Sequence, residues 1–358
     1  MYFIIFMNHK FTLCMKTLLS PISIAAGLIM LITSCTHTRL VHMNALRPAE
    51  ITMPREVQKI IVVNRTKFDK KAKEIIEGVF TGELPGDDRK GVIEAIFAFQ
   101  QNVTQTPRFK VEIAEEVLEG NSVMTNFPDP LSWEEVEKLC NKYEADVLIA
   151  AEVFDTDFIV TSGANSVKVS EGPIPRVQFY ARGNGSATIG FRLYDPVEKI
   201  IVDEQLITER HHWEASGPGI INARSSLIGR AEAIKYVSRL VGGTYAYKIS
   251  PMPVRVTRTF YSKHRKSPEI AIGARYGDVN QWAEALEAWE RGLPHARRKQ
   301  AGYLCYNIAI AHEVQGNLDS AIEWAQKSYV EYRDKRARDY VRRLRNRAAA
   351  EERLEEQL

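Results

Sequence analysis

The chain has 358 residues, 45% of them apolar and 26% charged, and 48 Lys and Arg against 45 Asp and Glu leave a net charge of +3. The length fits about two domains. The composition is that of a folded globular protein, and a charge this near zero gives no whole-protein attraction to nucleic acid.

The first element is not part of the fold. Lys16 precedes an apolar stretch from Leu18 to Ile32, interrupted by Ser20, Pro21 and Ser23. At about 15 residues it is short for a bilayer span, which takes about 20, and it has the length and flank of a signal-peptide core. It ends Ile32-Thr33-Ser34-Cys35. That ending resembles the lipobox of bacterial lipoproteins. The resemblance implies that diacylglycerol alkylates the Cys35 thiol, that a peptidase cuts before Cys35, and that the new amino group is acylated. Anchoring by two or three acyl chains, at about 0.8 kcal/mol per buried CH₂, is effectively lasting. Residues 1–34 are therefore expected as a signal peptide and 35–47 as a lipidated linker. Met15 offers the more natural start, which makes 1–14 an extension. THTRLVHMN after Cys35 holds no acidic residue. The expected location is thus the outer membrane, held by lipid through Cys35, with the body in the periplasm.

Of the remaining cysteines, Cys14 falls in the leader, while Cys140 and Cys305 show no CxxC spacing. Zinc and thioredoxin-like chemistry lack support. Cys140 follows Trp133 and Val136 at helical spacing, so both it and Cys305 are expected as free, buried thiols.

A first domain is expected over 48–255. Pro48 and Pro54 punctuate its entry. KIIVVN (59–64) is a β-branched apolar run and reads as a buried strand. DKKAKEIIEGVF (69–80) and RKGVIEAIFAFQQNV (89–103) read as helices around the loop 81–88. RFKVEIA (108–114) alternates as a strand. In LSWEEVEKLCNKYEA (131–145), Ser132 with Glu135 three residues on forms a capping box. DVLIAAEVF (146–154) reads as a strong buried strand. The segments 176–195 and 198–215 alternate on either side of Asp195-Pro196, a turn signal, and read as an antiparallel meander. NARSSLIGRAEAIKYVSRLVGGTYAYKI (222–249) reads as one long helix. The sum is a mixed-sheet α/β sandwich with helices mainly on one face.

This order, with AEADVLIAAEV followed by GFRLYDPVEKIIVDE, resembles the periplasmic domain of the curli-secretion lipoprotein and of TolB-N-like and penicillin-binding-protein-activator lipoproteins. The polar, short 156–175 stretch offers no transmembrane hairpins, so the channel function of the curli-secretion family is not carried over. The segments PAEITMP, IIVVNRT, FTGELPGDDRKG and PRFKV, with the repeat-containing tail, resemble an uncharacterised lipoprotein family, domain of unknown function 6340, over nearly the whole mature chain. That resemblance implies no established activity.

A second, all-α domain is expected over 266–345. AGYLCYNIAIAHEVQGNLDSAIEWAQKSY (301–329) resembles a tetratricopeptide repeat: Asn307, Ile308, Ala309 and His312 fill the first helix, Gly316-Asn317-Leu318 the turn, and Ala321, Trp324 and Ala325 the second helix. One unit earlier stand Gly273 and Tyr276, then Trp282, Ala285 and Trp289. Such stacks usually need about three units or a cap. A helix from about 334, with Ala337, Tyr340, Val341 and Leu344 on one stripe, can cap them. The basic run 333–347 reads as a solvated helix face, and 346–358 as a charged helical tail. In all, the fold class is α+β, a mixed-sheet sandwich followed by tetratricopeptide-like helical hairpins.

Catalytic patterns are weak. Adjacent His211 and His212 point to opposite faces of a strand and cannot chelate together. Asp155 and Asp157 share a strand face but read as a solvated strand exit. TGELPGDDRKG lacks Walker spacing, and no GxSxG or HExxH occurs. The expectation is a non-enzymatic interaction scaffold in cell-envelope assembly or secretion, without cofactor, metal or nucleic acid, whose repeats bind an unknown envelope protein or peptide. Tyr276, Asn307 and His312 would line that surface, or simply pack. The alternatives are a subunit of a homo-oligomeric secretion ring and an envelope hydrolase acting through Asp155 and Asp157.

Overall fold

The structure, a computed structural model, describes residues 38–66, 87–118, 126–167 and 176–358. The helix expected at 69–80 and most of the loop after it lie outside these residues. The chain divides into two compact units. One is His42–Thr257 with Arg342–Leu358, and the other comprises residues 38–41 with Arg258–Val341.

The strands are β1 (Thr38–Arg47), β2 (Lys59–Asn64), β3 (Lys110–Val117), β4 (Val147–Val167), β5 (Arg176–Asp195), β6 (Ile200–Gly217) and β7 (Met252–Tyr261). Five form one sheet in the order β3-β2-β4-β5-β6, and β1 pairs with β7 in a separate two-stranded sheet. β2 runs parallel to β3 and β4, with Ile60 opposite Val147 and Val62 opposite Ile149. β4, β5 and β6 form the expected antiparallel meander.

The helices are α1 (Asp87–Val103), α2 (Trp133–Tyr143), α3 (Ile220–Ser225), α4 (Arg230–Ile249), α5 (Pro268–Asp278), α6 (Trp282–Gly292), α7 (Arg298–Val314), α8 (Leu318–Val330) and α9 (Lys335–Gln357). β2 is buried on both faces, as its continuous apolar run requires. Ile60 and Val62 meet α1 and α4 through Phe99, Val241 and Tyr245, while Ile61 and Val63 meet α2 through Val136, Leu139 and Cys140. The Tyr245 ring stacks on Phe191 at 4.5 Å. α2 begins as its capping box dictates, with Ser132 Oγ accepting the Glu135 N–H at 3.3 Å. The chain is thus α+β, a five-stranded mixed-sheet unit followed by helical segments.

Several expectations need correction. β4 does not end at 154 but continues to Val167, so the first part of the polar 156–175 stretch is strand, paired to β5 from Thr156 opposite Ala187 to Val167 opposite Arg176. The helix expected over 222–249 is two helices, broken at Ser226–Gly229. Residues 38–47 are strand, not linker, and Met252–Tyr261 is a strand that runs past the end of the first expected domain. The C-terminal tail is helical, as expected, and it also packs, with Leu354 and Gln357 buried in the α/β unit. The Gln357 amide accepts the Ala49 N–H at 2.8 Å and donates to the Ala49 carbonyl at 3.1 Å.

Candidate functional site

Cys35 lies outside the described residues. Of the three residues expected to line a partner surface, Asn307 points inward. It is fully buried, and its amide accepts the Tyr261 N–H and donates to the Tyr261 carbonyl, each at 2.8 Å. Of the two roles the sequence left open for Asn307, its contacts describe packing. Tyr276 on α5 and His312 on α7 are half-buried. Burial holds the His312 imidazole below its usual pKa, against an opposing pull from Glu290. Among the described residues no hydrogen bond or ring contact joins Tyr276, Asn307 and His312.

The helical unit is built on close helix approach. A Cβ at Gly273 of α5 would lie 2.3 Å from Trp289 Nε1 of α6, so only glycine fits there. A buried ion pair lies beside the Asn307 clamp. Arg258 reaches Glu313 with two bonds of 2.9 and 2.8 Å, and the Tyr340 hydroxyl donates to the same carboxylate at 2.7 Å.

The unit also holds a cavity of about 450 Å³. Tyr261, Tyr303 and Tyr332 form its aromatic wall, and Arg298, Lys299, Arg333, Lys335 and Arg336 its cationic one, with Asp334 as the one carboxylate. The Tyr261 and Tyr303 rings stack at 3.7 Å. Tyr261 donates its hydroxyl to both Asp334 oxygens, at 3.2 and 3.0 Å. Burial, then the Asp334 charge, pushes the Tyr261 phenol up, and burial also raises the Asp334 carboxyl. The run 333–347 is the solvated helix face expected from the sequence, its Arg and Lys side chains exposed but for a half-buried Arg347. Its signal for a site was available only by adding Arg298 and Lys299, which a loop and two helices bring beside it.

The α/β unit hides a second charged group. Between Ala151 and Val153 the β4–β5 register shifts by one residue, leaving Glu152 unpaired in a bulge and fully buried. Its carboxylate meets Arg192 at 2.7 Å and Arg65 at 3.3 Å, and accepts the Tyr194 hydroxyl at 2.7 Å. Burial raises the Glu152 carboxyl despite these partners. Arg192 also donates to the Pro128 carbonyl, and Tyr194 Oη accepts the Leu131 N–H. The network therefore holds the 128–131 segment against the sheet. The sequence signal, one charge inside each of two apolar strands, was present but unused.

Asp155 and Asp157 are half-buried on β4, and one Asp157 oxygen is buried without a hydrogen bond. His211 packs against Trp213 and Tyr236 at 4.6 and 4.7 Å, whereas His212 is exposed. Among the described residues no His, Cys, Asp and Glu group is arranged to hold a metal, and no helix is long and apolar enough to cross a membrane.

A family model described as "Domain of unknown function (DUF8603)" matches residues 57–261, and a second, "Domain of unknown function (DUF6340)", matches residues 271–346. The resemblance to domain 6340 is therefore confined to the helical part instead of covering nearly the whole mature chain. No curated protein matches. Among solved structures, a PelC dodecamer from Paraburkholderia phytofirmans is 11% identical, with 59% of this chain and 98% of that one covered at a TM-score of 0.24. A putative neuraminyllactose-binding hemagglutinin homolog from Helicobacter pylori is 9% identical, covering 56% and 87% at 0.25. TolB from Acinetobacter baumannii is 10% identical, covering 58% and 30% at 0.20.

Proposed function

We propose, for a chain that belongs to the DUF8603 family of domains of unknown function, a non-enzymatic role as a lipid-anchored interaction protein of the cell envelope. Cys35 carries the lipid at the outer membrane, the body faces the periplasm, and the helical unit is a tetratricopeptide-like docking module for an envelope protein or peptide. The observation that carries the docking role is the Gly273–Trp289 interlock: a small residue on one helix receives a large one from the next, as repeat modules require. The Ile32-Thr33-Ser34-Cys35 ending supports the anchor.

The test is in-cell crosslinking of the tagged full chain, followed by mass spectrometry. A dominant envelope partner crosslinked within 266–345 is the expected result. Self-crosslinks through 48–255 alone would replace docking with an oligomeric ring. In parallel, Cys35→Ala is expected to abolish metabolic labelling by palmitate and release the protein from the membrane fraction. Unchanged labelling would overturn the anchor.

A further inference from the structure

We propose that the tyrosine-lined basic cavity of the helical unit binds a phosphate- or diphosphate-bearing ligand, a site that the docking role neither needs nor implies. Its volume of about 450 Å³ suits a small ligand or headgroup.

Charge is the first argument. Five cationic side chains stand against the single carboxylate of Asp334. That carboxylate is already engaged by the Tyr261 hydroxyl and by the Arg336 backbone N–H at 3.1 Å. No salt bridge within 4.0 Å neutralises Arg298, Lys299, Arg333, Lys335 or Arg336 among the described residues. The buried Arg192 and Arg258 are each paired, whereas these five cations face solvent and are open to a ligand. All five are exposed to solvent, so their mutual repulsion is modest and screened by salt, and a bound anion would relieve it.

The backbone adds to the same field. α7 begins at this cavity, at Arg298, with no acidic residue in its first turn, while the start of α9 at Lys335 is already capped by Asp334, which accepts the Arg336 N–H at 3.1 Å. α7 has no side-chain cap, so its first N–H groups lack the acceptor that helix starts usually recruit. Helix N-termini favour anions, and usually carry Asp or Glu for that reason. Arg333 sits at φ 62°, where a side chain is disfavoured, yet it carries one of the five cations.

The aromatic wall positions the cations. Lys299 Nζ lies 5.8 Å from the Tyr303 ring centroid, and the Arg336 guanidinium 5.1 Å from that of Tyr261. Forked guanidinium groups match the oxygens of phosphate. Such an excess of cations in a compact cavity favours a small, multiply charged anion over an extended acidic peptide, which would spread its charge along a groove.

The experiment is calorimetric titration of the full chain with inorganic pyrophosphate at low and at physiological salt. We expect saturable binding at one site, weaker at higher salt. Arg298→Gln with Lys335→Gln should weaken it by about tenfold or more, which is 1.4 kcal/mol per decade. Arg291→Gln, outside the cavity lining and paired with Glu287 at 3.6 Å, should leave it unchanged, and Arg298→Lys should retain most of it. Circular dichroism melting of each variant separates lost binding from lost fold. Should the double variant unfold, the Arg298→Gln and Lys335→Gln singles decide, each expected to weaken binding. No saturable pyrophosphate binding at millimolar concentration would overturn the proposal. So would equal binding by the folded double variant, or binding of a poly-glutamate peptide in place of pyrophosphate. Flotation with phosphatidylcholine vesicles containing phosphatidate, lost in the double variant, would identify a lipid headgroup as the source. Pyrophosphate binding without flotation would identify a soluble phosphate compound. Either result is independent of whether crosslinking finds a protein partner.

Discussion

The carboxamide of Asn307 stands to the backbone of Tyr261 as a neighbouring strand would, accepting its N–H and donating to its carbonyl at 2.8 Å each. β7 thus ends against a side chain instead of a strand, and the last residue of the ladder is satisfied by α7. Both groups are buried, so Asn307→Ala leaves a donor and an acceptor unmet. Each costs about 1–3 kcal/mol, so the pair is expected to lower unfolding stability by about 2–6 kcal/mol. Asn307→Asp carries an added pH signature. A buried carboxyl aimed at a carbonyl is stable only when protonated, so its folded pKa is raised above the unfolded value. The variant should approach wild type in acid and lose stability as pH rises between those two pKa values. Urea denaturation at acid and neutral pH checks this. A flat difference across that range would mean the carboxyl is not held at the Tyr261 backbone.

Glu313 is fully buried, and Arg258 neutralises it with two charge-assisted bonds. Arg258→Ala removes both of those charge-assisted bonds, while the Tyr340 hydroxyl bond remains. Removing one partner of a buried pair costs about 3–5 kcal/mol. Adding Glu313→Gln should recover part of that loss, because the stranded charge is gone. Denaturation midpoints of the single and double variants measure it. If the double variant is no more stable than the single, packing of Arg258 outweighs its charge.

The elements that were legible in the sequence are those whose pattern is set locally. KIIVVN is a strand because every residue in it is apolar and β-branched or flanks such residues, and Ser132 with Glu135 starts α2 by a contact three residues long. The distal half of β4 was hidden because Asp155–Val167 is solvated on much of its surface and mixes Gly163 and Asn165 with Ile159. Register with β5, not hydrophobic alternation, makes it a strand. The break in 222–249 was hidden because the apolar spacing continues through Leu227 and Ile228, which face a satellite cluster around Phe158. The basic cavity joins residues 298–299 to 332–336, and Glu152 on β4 meets Arg192 on β5 and Arg65 just past β2. Each leaves a local trace, a basic run or a lone charge inside an apolar strand, but which groups meet is decided by topology. The sequence left Asn307 open between lining and packing because an inward amide and an outward one satisfy the same helical spacing.

Two adjacent glycines of α4 should respond in opposite ways. A Cβ at Gly242 would stand 2.0 Å from the Ala95 carbonyl oxygen of α1, a backbone atom that cannot step aside. Gly242→Ala must push the helices apart, and overpacking of this kind costs about 1–3 kcal/mol or more. At Gly243 the nearest atom is Asn102 Nδ2 at 3.3 Å, the end of a side chain that can shift. Gly243→Ala should therefore be neutral or gain up to about 1 kcal/mol from helix propensity. Thermal melts of the two variants decide, and equal destabilisation would refute the close approach of α1 and α4.

Cys140 and Cys305 are buried free thiols, and burial pushes each pKa up to about 12 from 9.0. At pH 8 the thiolate is then rare in the folded protein, so both cysteines should resist iodoacetamide until the chain unfolds. The same shift makes stability depend on pH. Below pH 9 both states hold the proton and the thiols contribute no slope. Between 9.0 and about 12 the unfolded state has released it and the folded state has not, so stability falls as pH rises. Each thiol contributes about 1.4 kcal/mol per pH unit over that window. Cys140→Ala with Cys305→Ala should flatten the alkaline limb of the stability curve while leaving a constant packing cost at neutral pH. Denaturation measured from pH 8 to 10.5 tests it, and an unchanged slope in the double variant would assign the alkaline loss to other groups. Among these, Tyr245 and Tyr340 are the first to examine, since burial raises both phenols.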